Sequence, residues 1–262
     1  AFLVQTSLRS MNKTLFTSAF VCSCAGAAFA FWVRHVRHSA FQAEALAARR
    51  FQLSKLLVRI FGEPLPRNPD CAYCFLELDT NVESVVTVAA ELASRYPKMR
   101  LVVVDVESAK LSSPIDGFEG ASLFLRRLSE IGIPQSQLDL VSFDYSTYKL
   151  VHTLAESEIV VRHAKDRGYQ SMIVAAPSFH FARGVMTMAS VAIREYDALR
   201  IFPCQGEPLP WDEESRHSQG MVGTRAEFIE SDLSRIERYT AKGDIESWDR
   251  VASFLSSSAT SW

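Results

Sequence analysis

The chain has 262 residues, 48% of them apolar, and a formal net charge of -2. That length buries at least one sizeable core, and the near-neutral balance argues against a nucleic-acid binder, which carries a dominant basic face. Five cysteines without framework spacing exclude a disulfide scaffold.

Charge is unevenly spread. Between Ala1 and Ala43 there is no Asp or Glu, while Arg9, Lys13, Arg34 and Arg37 are basic. Leu15 to Val33 is an uncharged run of 19 residues. About 20 residues at 1.5 Å rise cross a hydrocarbon layer of ~30 Å, so the run suits one membrane span. Ser18, Ala19, Cys22, Gly26 and Ala27 would let a neighbouring helix approach closely. Trp32 and the Arg34-His-Val-Arg-His38 cluster suit the interface. An uncleaved secretory signal and a buried helix of a soluble domain are the competing readings. The run is longer than a usual signal core, and its basic flank disfavours burial. The acid-free, Ser/Thr-containing stretch from Ala1 to Lys13 has the character of an organelle presequence tail. The expected location is therefore the mitochondrial inner membrane, with the large carboxyl-terminal part on the matrix side, where the stronger positive flank lies.

From Phe41 to Phe61 the pattern is amphipathic, with Phe41, Leu46, Phe51, Leu56, Leu57 and Ile60 on one stripe. It reads as a connecting helix or as a membrane-surface or partner-binding helix. Gly62 to Asp70 is a turn-rich linker. The expected domains are 1–38 with the span at about 15–33, 39–70, and an α/β domain over 71–262.

From Cys71 strand and helix patterns alternate. Ala72 to Leu78, Leu101 to Val106, Leu138 to Phe143, Ser171 to Ala176 and Arg200 to Pro203 read as strands. Val82 to Tyr96 and Phe118 to Ile131 read as helices. Thr153-Leu-Ala-Glu156 has capping-box spacing, and Gly168 ends the helix that follows. This order predicts an α/β fold: a three-layer parallel sheet with flanking helices, preceded by one amino-terminal transmembrane helix.

Pro177-Ser-Phe-His180 and Arg183 directly follow the fourth strand, where an open α/β sheet places its ligand crevice. A His serves as acid or base near neutral pH, and an Arg fork holds phosphate or carboxylate. Asp105 and Asp144 also follow strands; ligand contact and loop capping explain each equally. Cys71 and Cys74 form a lone C-x-x-C with no second pair, which favours buried small residues over zinc or redox chemistry. His152, His163 and His217 lack metal spacing and read as structural. No metal site is expected.

The strand-helix order, Thr153-x-x-Glu156, the His180-x-x-Arg183 loop, and the ending with Arg225-x-Glu-Phe228 and Glu230 to Ile245 resemble the YdcF-like (SanA-like) domain of unknown function. The resemblance covers about Cys71 to Ile245. It implies a compact α/β domain, often tethered by an amino-terminal membrane segment. Its cleft would take a small polar ligand, nucleotide-like or S-adenosylmethionine-like, with His180, Arg183, Thr153 and Glu156 at or near it.

The family's Gly-rich turns are missing after the first two strands, where Glu77, Asp79, Asp105 and Glu107 stand instead. Bare backbone is what lets amides approach a phosphate, and these acids repel an anion. The leading expectation is thus a non-catalytic, membrane-anchored accessory subunit of a respiratory-chain or ATP-synthase complex, with no cofactor. Its partners would be the lipid bilayer and other subunits, and no nucleic acid. The alternative is an active family member that binds a nucleotide-like or phosphorylated ligand through His180 and Arg183.

Overall fold

The computed structural model describes residues 51, 53–113, 115–217 and 220–257. The expected span at 15–33 lies outside them. Among the described residues no helix is long and apolar enough to cross a membrane. A compact unit begins at Ser54. Residues 54–62 are helical (α1), and Leu56 and Ile60 join the core of this unit.

Five strands form one parallel sheet: β1 (Cys71–Cys74), β2 (Arg100–Asp105), β3 (Leu138–Ser142), β4 (Ser171–Ala176) and β5 (Arg200–Gln205). Their order is β3-β2-β1-β4-β5. The inner strands are buried on both faces, as the unbroken apolar runs LVVV and MIVAA require. Helices α2 (Val82–Arg95) and α3 (Ala121–Glu130) pack together over β1 and β2. Helices α4 (Thr153–Arg167) and α5 (Phe181–Glu195) pair on the opposite face. Right-handed crossovers demand this split: the chain winds outward from β1 to β3, then restarts at β4 and winds the other way.

The α/β class and the three layers stand as expected; details differ. The first strand stops at Cys74 instead of reaching Leu78, because after it the chain turns away toward the crevice. Thr153 and Glu156 do not form a capping box. His152 caps α4, its Nδ1 accepting from the Ala155 amide at 3.1 Å, while Glu156 points into the protein. A true capping box closes the start of α6 (Arg225–Lys242), where Thr224 and Glu227 satisfy each other's backbone amides.

Past β5 come an antiparallel hairpin, β6 (Glu214–His217) and β7 (Met221–Thr224), then α6 and α7 (Trp248–Ser257). Helices α6 and α7 both pack on α5. That cover buries α5 from Phe181 to Ala192 on nearly every side. Its inward hydroxyls are buried from solvent, and Thr187 and Ser190 donate back to the carbonyls of Arg183 and Met186. Gly184 lets α5 press on the end of β1: a Cβ there would stand 2.9 Å from the Phe75 ring.

Candidate functional site

The winding direction reverses between β1 and β4, and their carboxyl ends leave a crevice. From the segment just after β1 come Phe75, Leu76 and Glu77; from the turn after β4 comes His180. Arg183 follows on the first turn of α5, and Thr153 and Glu156 project from the start of α4.

Glu156 is only 4% exposed. The Tyr73 hydroxyl (2.5 Å) and the Leu76 amide (3.2 Å) both donate to its Oε1. Oε2 has no partner among the described residues. Burial pushes this carboxyl up to about 7, against those two donors and the Arg183 charge. Glu77 is half-buried, with no hydrogen-bond partner among the described residues. Burial first, then the charges of Glu156 and Asp232, push its carboxyl well above the usual carboxylate range, and Arg183 opposes them.

Arg183 is held from several sides. Nη1 donates to Thr153 Oγ1 at 2.7 Å, Nε lies 3.0 Å from Asp232 Oδ1, and Nη2 is 3.4 Å from His217 Nε2. The Nε contact is an ion pair without hydrogen-bond alignment. Asp232, on α6, is the common anion. It also accepts from His180 Nδ1 at 2.9 Å and stands 3.4 Å from Arg235 Nη1. Burial disfavours its charge, yet the hydrogen bond from His180, the neighbouring His217 at 3.7 Å and the positive field of Arg183 hold its carboxyl far below the normal value. His180 is pushed down to about 4, by burial and then by Arg183, so its ring is neutral at pH 7. Burial also lowers His217.

Above this floor the crevice opens to about 660 Å³. Ile115, Leu150, Val151 and Leu154 make an apolar wall, faced by Tyr239 and Lys242 of α6. Charges at the mouth are already paired: Lys242 with Asp244 at 3.0 Å, and Asp116 with Arg216 at 2.7 Å. A chamber of about 20 Å³ adjoins the crevice, bordered by His180, Glu156, Glu77, Thr153 and Arg183.

Four of the six residues expected from the sequence thus converge: Thr153, Glu156, His180 and Arg183. Two do not. Asp144 folds back on its own loop, accepting from Ser146 and Thr147, which lowers its carboxyl to about 2. Asp105 borders a separate open groove with Glu107 and Glu119. The expected acidic rim therefore does not exist as one feature, since of its four acids only Glu77 reaches the crevice floor.

Asp232, Arg235 and His217 were not expected. For Asp232 and Arg235 the signal was helical spacing: Arg225, Phe228, Asp232 and Arg235 recur on one face of α6, so charged residues occupy core-facing positions there, whereas His217 on β6 had none. Buried charges at such positions must be paired. Among the described residues no cluster of His, Cys, Asp or Glu is arranged to hold a metal ion.

No family model matches the chain, and no curated protein matches it. One solved structure it is similar to is the U34-tRNA thiolase NcsA from Methanococcus maripaludis with its 4Fe-4S cluster, at 13% identity. The match covers 78% of this chain and 80% of that one, with a TM-score of 0.38, too slight a likeness to carry function. These findings correct the expected YdcF-like membership, for which no family model speaks. They also correct the expected accessory subunit of a respiratory-chain or ATP-synthase complex in the mitochondrial inner membrane. Among the described residues no helix can span a bilayer. The alternative, a YdcF-like protein for nucleotide-like or phosphorylated ligands, fits poorly as well. What stands is a five-stranded parallel α/β fold with a buried ionic cluster at its switch point.

Proposed function

We propose that the crevice at the ends of β1 and β4 binds a small amphipathic molecule. Its apolar part would lie on Ile115, Leu150, Val151 and Leu154, and its polar end on Thr153 and Arg183. The observation that carries this reading is a volume of about 660 Å³, bordered by buried polar groups at the switch point. Ligand sites commonly measure roughly 300–1,000 Å³, with mostly apolar walls and a few convergent polar groups. Floor charge narrows the ligand. Asp232 already pairs with both Arg183 and Arg235, so neither guanidinium is free to clamp a dianionic head.

Ligand-observed NMR with a panel of small neutral esters, amides and alcohols tests this. Binding to the wild type, lost in Leu154→Trp with Tm unchanged, is the expected result. Failure of every compound to bind, or equal binding by the filled variant, rejects the reading.

A further inference from the structure

The strongest unexplained feature is the pairing of a neutral acceptor with a proton-holding carboxyl across one small chamber. Asp232 accepts from His180 Nδ1, so the Nε2 lone pair is left free, and among the described residues Nε2 has no partner. Both internal donors to Glu156 take Oε1, which leaves Oε2 to carry a proton. The chamber of about 20 Å³ between them has room for one water, which needs roughly 10–15 Å³. Thr153 Oγ1 accepts from Arg183, so its own hydrogen is free to donate.

Resting on the reading of the crevice as a small-molecule site, we propose that the site is hydrolytic: Asp232 positions His180 as the base for one water held in the chamber, and Glu156 is the acid that protonates the leaving oxygen of a carboxylic ester bound in the crevice.

The atoms balance without a further reactant. A water proton moves to His180 Nε2 while the water oxygen bonds to the ester carbonyl carbon. The carbonyl electron pair moves onto its oxygen, which the Thr153 hydroxyl and the Arg183 guanidinium stabilise. Collapse breaks the bond from carbon to the leaving oxygen, and Glu156 gives that oxygen its proton. A carboxylic acid and an alcohol result, and the imidazolium proton returns to Glu156 through solvent. Asp232 touches no reacting atom. It holds the ring in the tautomer that has its free lone pair at Nε2 and offsets the charge that His180 gains.

Each group keeps the needed state within a defined pH window. His180 faces Asp232, Arg183 and His217; burial, Arg183 and His217 lower it to about 4 against Asp232. Glu156 faces Tyr73, Glu77 and Arg183, and burial raises it to about 7. Turnover therefore rises through about pH 4 and falls through about pH 7, a bell set by the base below and the acid above.

Two esters separate the roles. Ethyl butyrate has a poor leaving group that needs an acid, whereas 4-nitrophenyl butyrate does not. The wild type should cleave both, with the bell seen only for the ethyl ester. Glu156→Gln should slow the ethyl ester by about 10²–10⁴-fold and the nitrophenyl ester far less. Asp232→Asn should slow both. Should that variant fold poorly, the wild type alone still decides: long-range proton–nitrogen NMR of the ligand-free protein should show His180 as the Nδ1–H tautomer. An Nε2–H tautomer, no cleavage of either ester, or an equal loss of both in Glu156→Gln overturns the proposal. Esters that bind without being cleaved overturn hydrolysis and leave the crevice reading standing.

Discussion

Arg183 Nη1 and Thr153 Oγ1 meet at 2.7 Å and tie the first turn of α5 to the first residue of α4. Both side chains are buried, with Thr153 at 9% and Arg183 at 4% exposure. Thr153→Val keeps the shape and removes the acceptor, stranding a guanidinium N–H. The expected loss is about 1–3 kcal/mol in urea unfolding, and Thr153→Ser should restore most of it.

Asp232 presents the opposite hazard. Removing it with Ala leaves Arg183 and Arg235 buried without their shared anion. Breaking a buried pair by deleting one partner costs about 3–5 kcal/mol. Urea midpoints should show Asp232→Ala to be the most destabilising of the variants considered in the cluster. A loss below 1 kcal/mol would mean that solvent reaches these arginines.

The two displaced titrations oppose each other in stability. His180 falls from its ordinary 6.5 to about 4, so its contribution is present above pH 6.5 and lost as pH drops toward 4. Glu156 rises from 4.5 to about 7, so its contribution is full below 4.5 and lost as pH climbs toward 7. Each displacement corresponds to about 3 kcal/mol, and between pH 4.5 and 6.5 the slopes nearly cancel. Glu156→Gln removes one of them. Across that window its unfolding free energy should gain with pH relative to the wild type. Thermal melts at half-unit pH steps read this directly.

Tyr73 tunes the same carboxyl. Its hydroxyl donates to Glu156 and so favours the charged form. In Tyr73→Phe that donor is gone, and Glu156 should titrate above its present value of about 7. Carbon-13 NMR of the labelled carboxyl should report the upward move, and no change would show that another donor replaces Tyr73.

Gly184→Ala should cost about 1–3 kcal/mol in thermal unfolding, the usual range for overpacking. Its Cβ would stand 2.9 Å from the Phe75 ring, which also packs edge-on against His180 at 5.4 Å between centroids. The His180 ring resonances should therefore shift with the loss of stability.

The fold was legible wherever one local pattern decides one element. Val102 to Val104 and Met172 to Ala176 are apolar runs that only a doubly covered strand accommodates. Gly168, with φ of 73°, ended its helix as expected. The site was half legible for the same reason. His180 and Arg183 directly follow a recognisable strand, whereas Asp232 is 52 positions away from His180 and joins them only when α6 docks. Thr153 and Glu156 were placed near the cleft through the YdcF-like resemblance, and their local reading was different. Spacing suggested mutual capping, but the fold buries both and gives the cap to His152. Asp105 and Asp144 have the same local context as a functional acid, and only the course of each loop separates them from the crevice. The hairpin of β6 and β7 gave no pattern at all, being four residues a side with mixed polarity.

Because one carboxylate from α6 neutralises groups supplied by α5 and reaches toward the hairpin, the ionic cluster is a late product of synthesis. A ribosome that has released all five strands still presents an unfinished cluster, with Arg183 awaiting its counterion. The cluster closes only when the stretch beyond β5 emerges and α6 docks, which makes α6 a timing element as well as a wall.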